Sequence, residues 1–213
     1  MKSLKCDYNL IFLHIKYHKW IYALLIVCLY FLILPYSLYI VNQNTEIKDI
    51  VFYECLQKYI LIICLFFLIP FIKNYIEEDI KEILLTYDQK YKIRFVLEIY
   101  FLFIFILLPI FVLGTFFFFD ILSYIIWFVF QIFIIYIFFY LFTLRFHSTL
   151  ISFIIIFSYH GYMNFFVQNP TIFNLYRSFG FYDTPMSYFI FWIFISIILV
   201  YICIKLEKHQ FLL

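Results

Sequence analysis

Four polar side chains stand out because they lie in or beside long apolar stretches: Glu98, Asp120, His160 and Asn164. Carboxylates and imidazoles in such surroundings are the groups that carry protons or ions through membrane proteins. A proton relay or an ion-selective carrier needs several of these groups in series, and the four residues are too scattered to form one. Proton-coupled transport is therefore disfavoured. Glu98, His160 and Asn164, together with the helix-kinking Pro109, are candidates for a transport pathway or its gate.

A second arrangement resembles two motifs of intramembrane CAAX-type proteases, namely the pair Glu77-Glu78 and the spacing His160-x-x-x-Asn164. In that family the glutamate pair is followed, after three residues, by an arginine, but Glu82 stands there. The middle FxxxH motif of the family is missing, and no GxSxG, HExxH or P-loop sequence occurs. A membrane enzyme is thus the least favoured class, and any ATP must be hydrolysed by another chain.

The elements that position these residues follow from an unusually apolar composition. Hydrophobic residues make up 67% of the 213 residues and charged residues 13%, whereas about a quarter of a soluble domain is charged. So much apolar surface indicates that lipid is the main solvent. Long apolar runs without alternation favour helices over a barrel. The net charge of +2 gives no reason to expect nucleic acid, and five cysteines without a CxxC predict neither a metal site nor a disulfide framework.

Crossing about 30 Å of hydrocarbon takes about 20 apolar residues in a helix. Six stretches have approximately that length, the second when it is extended outward through residues 51–55. They are residues 20–41, 58–72, 95–119, 121–144, 149–167 and 188–204. The sequence therefore predicts an all-α membrane protein with six transmembrane helices in a single domain, residues 1–213.

The orientation of these spans follows from the distribution of Lys and Arg. With the N-terminus in the cytoplasm, twelve of the fifteen basic residues fall on the cytoplasmic side and three on the outer side. Cytoplasmic loops carry such an excess of basic residues. Both termini are therefore predicted to be cytoplasmic. The composition, rich in Phe and Ile, is typical of an AT-rich bacterial genome, so we expect a multi-pass protein of a bacterial cytoplasmic membrane.

Two segments are predicted to lie at the membrane surface or to enter it only partly. Residues 1–19 include LIFLHIKYHK, in which apolar and basic residues mix at near-helical spacing. This favours a helix in the cytoplasmic interface, with an irregular tail as the alternative. Residues 168–187, on the outer side, combine helix-breaking Pro170, Gly180 and Pro185 with many apolar side chains. A re-entrant segment of short helices in the outer leaflet satisfies both features.

Residues 75–94 are the only long charged stretch, and they are predicted to form an amphipathic helix on the cytoplasmic side. One apolar stripe recurs at helical spacing: Ile76, Ile80, Ile83, Leu84 and Tyr87. The acidic residues at positions 77–79 suit the positive end of the helix dipole. The alternative is a solvated connecting helix that has no partner.

This layout resembles that of type 2 ABC transporter permeases, the exporter membrane subunits with a G-subfamily-like fold. They too have an interfacial N-terminal helix, a charged helix between spans 2 and 3, and a re-entrant segment between spans 5 and 6. In sequence, Glu82-Ile83-Leu84-Leu85-Thr86 is similar to the Glu-Leu-Leu-Leu-Ser stretch of the family. Two positions differ, because Ile80-Lys81 replaces small residues and Asp88 stands near a common proline.

The resemblance implies that residues 75–94 are a coupling helix that docks into a groove on a dimer of cytosolic ABC ATPase subunits. The expected contact residues are Glu77, Glu78, Asp79, Ile80, Glu82, Ile83, Leu84 and Tyr87. ATP and Mg²⁺ would bind to the ATPase, so this chain is expected to hold no cofactor and to be no enzyme. A second permease, identical or homologous, would complete the pathway.

The expected cargo of such an exporter is hydrophobic or amphipathic: a peptide toxin, a lantibiotic or a drug, as in self-immunity. The residues alone leave another reading open. It is a stand-alone six-span protein, such as an immunity protein or a small channel, that works without an ATPase.

Overall fold

The computed structural model describes residues 11–43, 48–76, 92–118, 121–165, 175 and 186–210, and nearly all of them are helical. Residues 11–17 form a short helical segment that ends in a turn at His18. Within the described ranges, six longer helices follow it. They are α1 (Lys19–Gln43), α2 (Lys48–Ile76), α3 (Lys92–Phe117), α4 (Ile121–Phe146), α5 (Thr149–Phe165) and α6 (Met186–Gln210).

Five of these helices, α1 to α4 and α6, are long and apolar enough to cross a membrane. The expectation of an all-helical membrane protein is therefore confirmed at this level. Helix α5 has 17 residues and is about 26 Å long. The second span was predicted over residues 58–72 with an outward extension through residues 51–55, and α2 begins slightly earlier still, at Lys48. Glu54 and Lys58 pair at 3.7 Å along the surface of α2, so these charges lie within the helix rather than before it.

Helices α2 and α4 form the centre of the bundle. Their most apolar stretches are 67% and 61% buried, against 22% for both α1 and α6. Helix α4 packs against α2, α3, α5 and α6, and α2 packs against α1, α3, α4 and α5. The core between them is aromatic, with fully buried rings that include Tyr53, Phe103, Phe128 and Tyr136. The outer helices turn their remaining apolar side chains away from the bundle, as helices surrounded by lipid do.

The chain alternates in direction from one helix to the next, so α2, α4 and α6 run one way and α1, α3 and α5 the other. Tyr53 and Tyr124, both near the start of their helices, have ring centroids 5.0 Å apart and show that α2 and α4 are parallel. The bundle therefore has two ends. We name the end at which α2, α4 and α6 begin the Leu175 end, and the opposite end the His14 end.

Helix α1 contains a π-helical stretch, Cys28–Ile33, between the α-helical stretches Lys19–Val27 and Leu34–Gln43. Pro35 lies two residues beyond this stretch, and in a regular α-helix its ring would clash with the carbonyl of Phe31. The wider π turn relieves this conflict. Within that stretch, Tyr30 donates a hydrogen bond to the carbonyl of Ile106 on α3. The irregular turn thus lies where α1 meets α3.

Two glycines in apolar helices provide a matched pair of sites for substitution. A Cβ added at Gly114 would lie 3.3 Å from Cε1 of Phe52, whereas one added at Gly161 meets nothing within 4 Å. Phe52 is buried and packs on Phe118 at 5.1 Å, so its ring has little room to move. We expect Gly161→Ala to raise the free energy of unfolding by about 0.5–1 kcal/mol through helix propensity.

At Gly114 the same change is expected to be less favourable than Gly161→Ala by about 1 kcal/mol or more, because the new methyl group overpacks the contact between α2 and α3. Detergent-induced unfolding of the two variants, followed by circular dichroism, measures the difference. Equal stabilities would contradict the close approach of α2 and α3 at Gly114.

Candidate functional site: a buried polar network at the Leu175 end

Two glutamine side chains meet in the centre of the bundle. Gln57 on α2 and Gln131 on α4 are both buried. The Gln57 amide nitrogen donates to Oε1 of Gln131 at 3.0 Å and to the hydroxyl of Tyr53 at 2.6 Å. A buried amide costs free energy unless its polar atoms are paired. The two central helices are therefore joined by a polar contact inside an apolar core.

The same network holds one residue of the segment between α5 and α6. Leu175 is buried, and its carbonyl accepts from Nε2 of Gln131 at 2.6 Å and from the hydroxyl of Tyr188 at 3.2 Å. Its backbone N–H donates to the hydroxyl of Tyr159 at 3.2 Å. Side chains from α4, α5 and α6 thus satisfy both backbone groups of Leu175, as buried backbone requires.

His160 joins α5 to α2 beside this network. Its Nε2 lies 3.1 Å from the carbonyl of Lys58, and its Nδ1 lies 3.1 Å from the amide nitrogen of Asn164. Asn164 also donates to the backbone carbonyl of His160 at 3.0 Å. A neutral ring protonated on Nε2 satisfies both contacts, since it donates to Lys58 and accepts from Asn164. The imidazole therefore has a fixed tautomer and connects two helices.

The structure brings together two of the four predicted pathway residues. His160 and Asn164 are in contact towards the Leu175 end, as described above. Glu98 lies near the start of α3, towards the His14 end, where the Arg94 Nε donates to its carboxylate at 3.2 Å. Pro109 is exposed on the outer face of α3. Glu98 and Pro109 therefore do not share a site with His160.

The predicted coupling residues lie outside the described residues. They are Glu77, Glu78, Asp79, Ile80, Glu82, Ile83, Leu84 and Tyr87. The same holds for most of the predicted re-entrant segment 168–187, of which Leu175, Met186 and Ser187 are described. Both assignments stay predictions. At its edges, the predicted coupling segment 75–94 overlaps α2, which ends at Ile76, and α3, which begins at Lys92.

Sequence reasoning missed three polar residues of the core. Gln57 lies between residues 58–72 of the predicted second span and its outward extension through residues 51–55, and Gln131 lies within the long apolar run 121–144. Glu207 lies beyond the last predicted span, residues 188–204, yet it is buried on α6 and accepts a hydrogen bond from the hydroxyl of Tyr140 on α4. The usable signal was a single amide in an otherwise apolar run, since amides in membrane helices bond across helix interfaces.

An apolar cavity of about 320 Å³ lies beside the network, between α4, α5 and α6. Leu175 forms part of its wall. The other lining side chains include Ile135, Phe138 and Phe142 of α4, Ile155 of α5 and Trp192 of α6.

The described polar side chains of this network join helices and hold the backbone of Leu175 through hydrogen bonds. The amides and His160 use their polar atoms to hold helices and Leu175 in place. Among the described residues, no group of three His, Cys, Asp or Glu side chains is placed to hold a metal ion. No family model, no curated protein and no solved structure matches this chain.

Proposed function

We propose that the chain is a permease subunit of an ATP-driven exporter and forms half of a translocation pathway. In this proposal six helices span the membrane, both termini lie in the cytoplasm, and a dimer of cytosolic ABC ATPase subunits drives the transport. A second permease, identical or homologous, supplies the other half. The single observation that carries the proposal is that segment 77–91 joins the two helix ends Ile76 and Lys92 at the basic end of the bundle.

The distribution of basic residues supports the orientation. Of the ten Lys and Arg in the described ranges, eight lie towards the His14 end and two towards the Leu175 end. The eight are Lys16, Lys19, Lys73, Lys92, Arg94, Arg145, Lys205 and Lys208, and the two are Lys48 and Lys58. The excess of positive charge at one end favours the His14 end as the cytoplasmic one.

The packing of α5 supports its role as a sixth span. Its length of about 26 Å is close to the hydrocarbon thickness of about 30 Å. It packs against both α2 and α4, and its contacts run from Ser152, bonded to Thr143 near the His14 end, to His160, bonded to Lys58 towards the Leu175 end. Over these eight residues, about 12 Å, α5 runs alongside two helices that are long enough to span, as the proposed sixth span would.

A mechanical link supports the coupling role of the His14 end. Nε2 of His14, in the N-terminal helical segment, lies 3.0 Å from the carbonyl of Pro70 on α2, and the ring of His14 stacks on Phe71 at 4.4 Å. Pro70 is six residues from the end of α2 at Ile76. A force applied to segment 77–91 would thus act on α2, α3 and the N-terminal segment together.

The apolar surface supports a hydrophobic or amphipathic cargo and a second subunit. Large side chains on α6 remain exposed at Ile190, Phe194, Ile197 and Tyr201. Their spacing puts them on one helix face. Such a surface suits lipid or another permease. A peptide toxin, a lantibiotic or a drug fits these surroundings better than an ion does.

The proposal is tested by purifying the tagged chain from its native membrane in mild detergent and assaying the eluate for a P-loop ATPase. We expect an ATPase to co-purify with the wild-type chain. The triple variant Glu77→Lys/Glu78→Lys/Glu82→Lys should reduce its recovery by about tenfold or more, because three contacts change from attraction to repulsion.

The matched control is Asp49→Lys/Glu54→Lys, which reverses charge on α2 towards the Leu175 end and should leave ATPase recovery unchanged. Recovery of no ATPase with the wild-type chain would reject the permease and favour a stand-alone immunity protein or channel. Equal losses in the triple variant and the control would reject segment 77–91 as the docking site.

A further inference from the structure

The N-terminal helical segment, residues 11–17, is held against the bundle by one of its faces. Ile11 is buried, and the ring of His14 stacks on Phe71 of α2 and lies 3.0 Å from the carbonyl of Pro70. Residues three and four apart in a helix share a face. Because the contacts of Ile11 and His14 fix one face on α2, the opposite face of the segment points away from the bundle.

This opposite face combines exposed aromatic and aliphatic side chains with exposed lysines, and it continues into the first residues of α1. We name it the Tyr17 face, and its members are Phe12, Leu13, Lys16, Tyr17, Lys19 and Trp20. Nζ of Lys19 lies 5.7 Å from the centroid of the Trp20 ring, so a cation and an aromatic ring lie side by side. Within the described ranges, neither Lys16 nor Lys19 forms an ion pair.

The Tyr17 face is continuous with the exposed apolar surface of α1. Ile21 and Leu24 follow Trp20 along α1, and both are exposed. Helix α1 is long and apolar enough to cross a membrane, and only 22% of its most apolar stretch is buried. A helix of this kind is surrounded mainly by lipid, so the Tyr17 face lies where the lipid-covered surface ends. Aromatic rings and the long side chains of lysine collect at this depth of a bilayer.

The charges of the Tyr17 face are not balanced by the described acidic side chains at the His14 end. Glu98 accepts from Arg94 on its own helix. Glu207 is buried and accepts from the hydroxyl of Tyr140. Two lysines at the membrane surface are therefore left to attract negative charge from the lipid, and each favours an anionic lipid over a zwitterionic one by about fivefold.

We propose that the Tyr17 face binds the headgroups of anionic phospholipids. Lys16 and Lys19 contact the phosphate, while Phe12, Tyr17 and Trp20 enter the interfacial layer of the bilayer. The N-terminal segment is thus held by α2 on one side and by lipid on the other. An acidic segment of another protein would match the two lysines, but it would not match the apolar side chains that continue into α1.

The experiment uses the fluorescence of Trp20. This side chain is 76% exposed, whereas Trp127 and Trp192 are 7% and 4% exposed, so lipids with brominated acyl chains quench Trp20 preferentially. The purified full-length chain is placed in nanodiscs of equal parts phosphatidylglycerol and phosphatidylcholine, with bromine on one lipid or the other. No ATPase or ATP is present, so the outcome is independent of the proposed transport function.

We expect stronger quenching by brominated phosphatidylglycerol, which corresponds to a preference of about fivefold or more over phosphatidylcholine. High salt should reduce the preference, because it screens exposed charges. Lys16→Gln/Lys19→Gln should bring quenching by the two lipids close to equality. The control Arg145→Gln/Lys205→Gln removes the same charge from exposed positions at the His14 end of α4 and α6 and should keep the wild-type preference.

Equal quenching by the two brominated lipids in the wild-type chain would overturn the proposal and favour an acidic protein segment as the partner of the Tyr17 face. An unchanged preference in Lys16→Gln/Lys19→Gln would overturn it as well. So would an equal loss in the control, because the preference would then belong to any positive charge at the His14 end. The wild-type comparison needs no variant, so the proposal stays testable if a variant fails to fold.

Discussion

Replacing Gln131 by leucine is expected to lower the free energy of unfolding by about 1–3 kcal/mol, the net contribution of two buried hydrogen bonds at about 0.5–1.5 kcal/mol each. The change removes a donor from the Leu175 carbonyl and an acceptor from the Gln57 amide. Both partners are buried. Leucine is more apolar than glutamine, but that gain does not replace the two lost hydrogen bonds. Unfolding in a denaturing detergent, followed by circular dichroism, measures the loss.

A double-mutant cycle separates the bond between the two glutamines from the rest of the network. Interhelical hydrogen bonds in membranes contribute about 0.6 kcal/mol on average and up to about 1.7 kcal/mol. We therefore expect Gln57→Leu/Gln131→Leu to cost less than the sum of the two single changes, by an amount in that range. Gln43→Leu, at an exposed position near the end of α1, is the matched control and should be close to neutral. Strict additivity of Gln57→Leu and Gln131→Leu would show that the two amides do not interact.

Acidification is expected to release the N-terminal helical segment from α2 through His14. Burial and, to a smaller extent, the nearby His18 lower the pKa of His14 and the hydrogen bond to the Pro70 carbonyl opposes them, so that the pKa falls from 6.5 to about 4. The neutral ring accepts from the hydroxyl of Tyr22 at 3.1 Å and donates to Pro70. Once protonated, the ring can no longer accept from Tyr22.

The sign of this effect follows from proton linkage. The released segment, with an ordinary histidine pKa near 6.5, binds more protons between pH 6.5 and 4 than the attached one does. Attachment is therefore complete above pH 6.5 and weakens as the pH falls towards 4. Hydrogen exchange of the backbone amides of residues 15–22 should show protection that decreases over this window.

Matched variants identify the titrating group. His14→Gln keeps a donor for the Pro70 carbonyl but cannot be protonated, so its protection should be independent of pH between 6.5 and 4. His147→Gln, in the turn between α4 and α5, should behave like the wild type. The same pH dependence in His14→Gln and in the wild type would exclude His14 as the cause.

The helices that consist of unbroken apolar runs were predicted best from the sequence. Residues 121–144 were expected to be a span, and α4 runs from Ile121 to Phe146. Hydrophobicity alone decides such boundaries. It was less decisive for the second span, which was predicted over residues 58–72 with an extension through residues 51–55, because Glu54 and Lys58 pair with each other along the surface of α2. In the sequence, two charged residues that pair along one helix cannot be distinguished from charged residues that end a span.

The candidate site was less predictable, for a geometric reason. His160 and Asn164 are four residues apart on one helix, so their contact follows from helical periodicity. Gln57 and Gln131 are 74 residues apart, and their contact depends on the relative shift of α2 and α4. That shift is set by aromatic packing, such as the rings of Tyr53 and Tyr124 at 5.0 Å, which no local pattern encodes.

The glutamine network also constrains the order in which the protein is assembled during synthesis. Gln57 is already in the membrane when α4 emerges, because chains fold from the N-terminus as they are made. When Gln131 is synthesised, its partner Gln57 is thus already present, whereas the Leu175 carbonyl is synthesised 44 residues later. The two central helices can pair before the last two exist, and docking of Leu175 completes the network only after α5 and α6 have been synthesised.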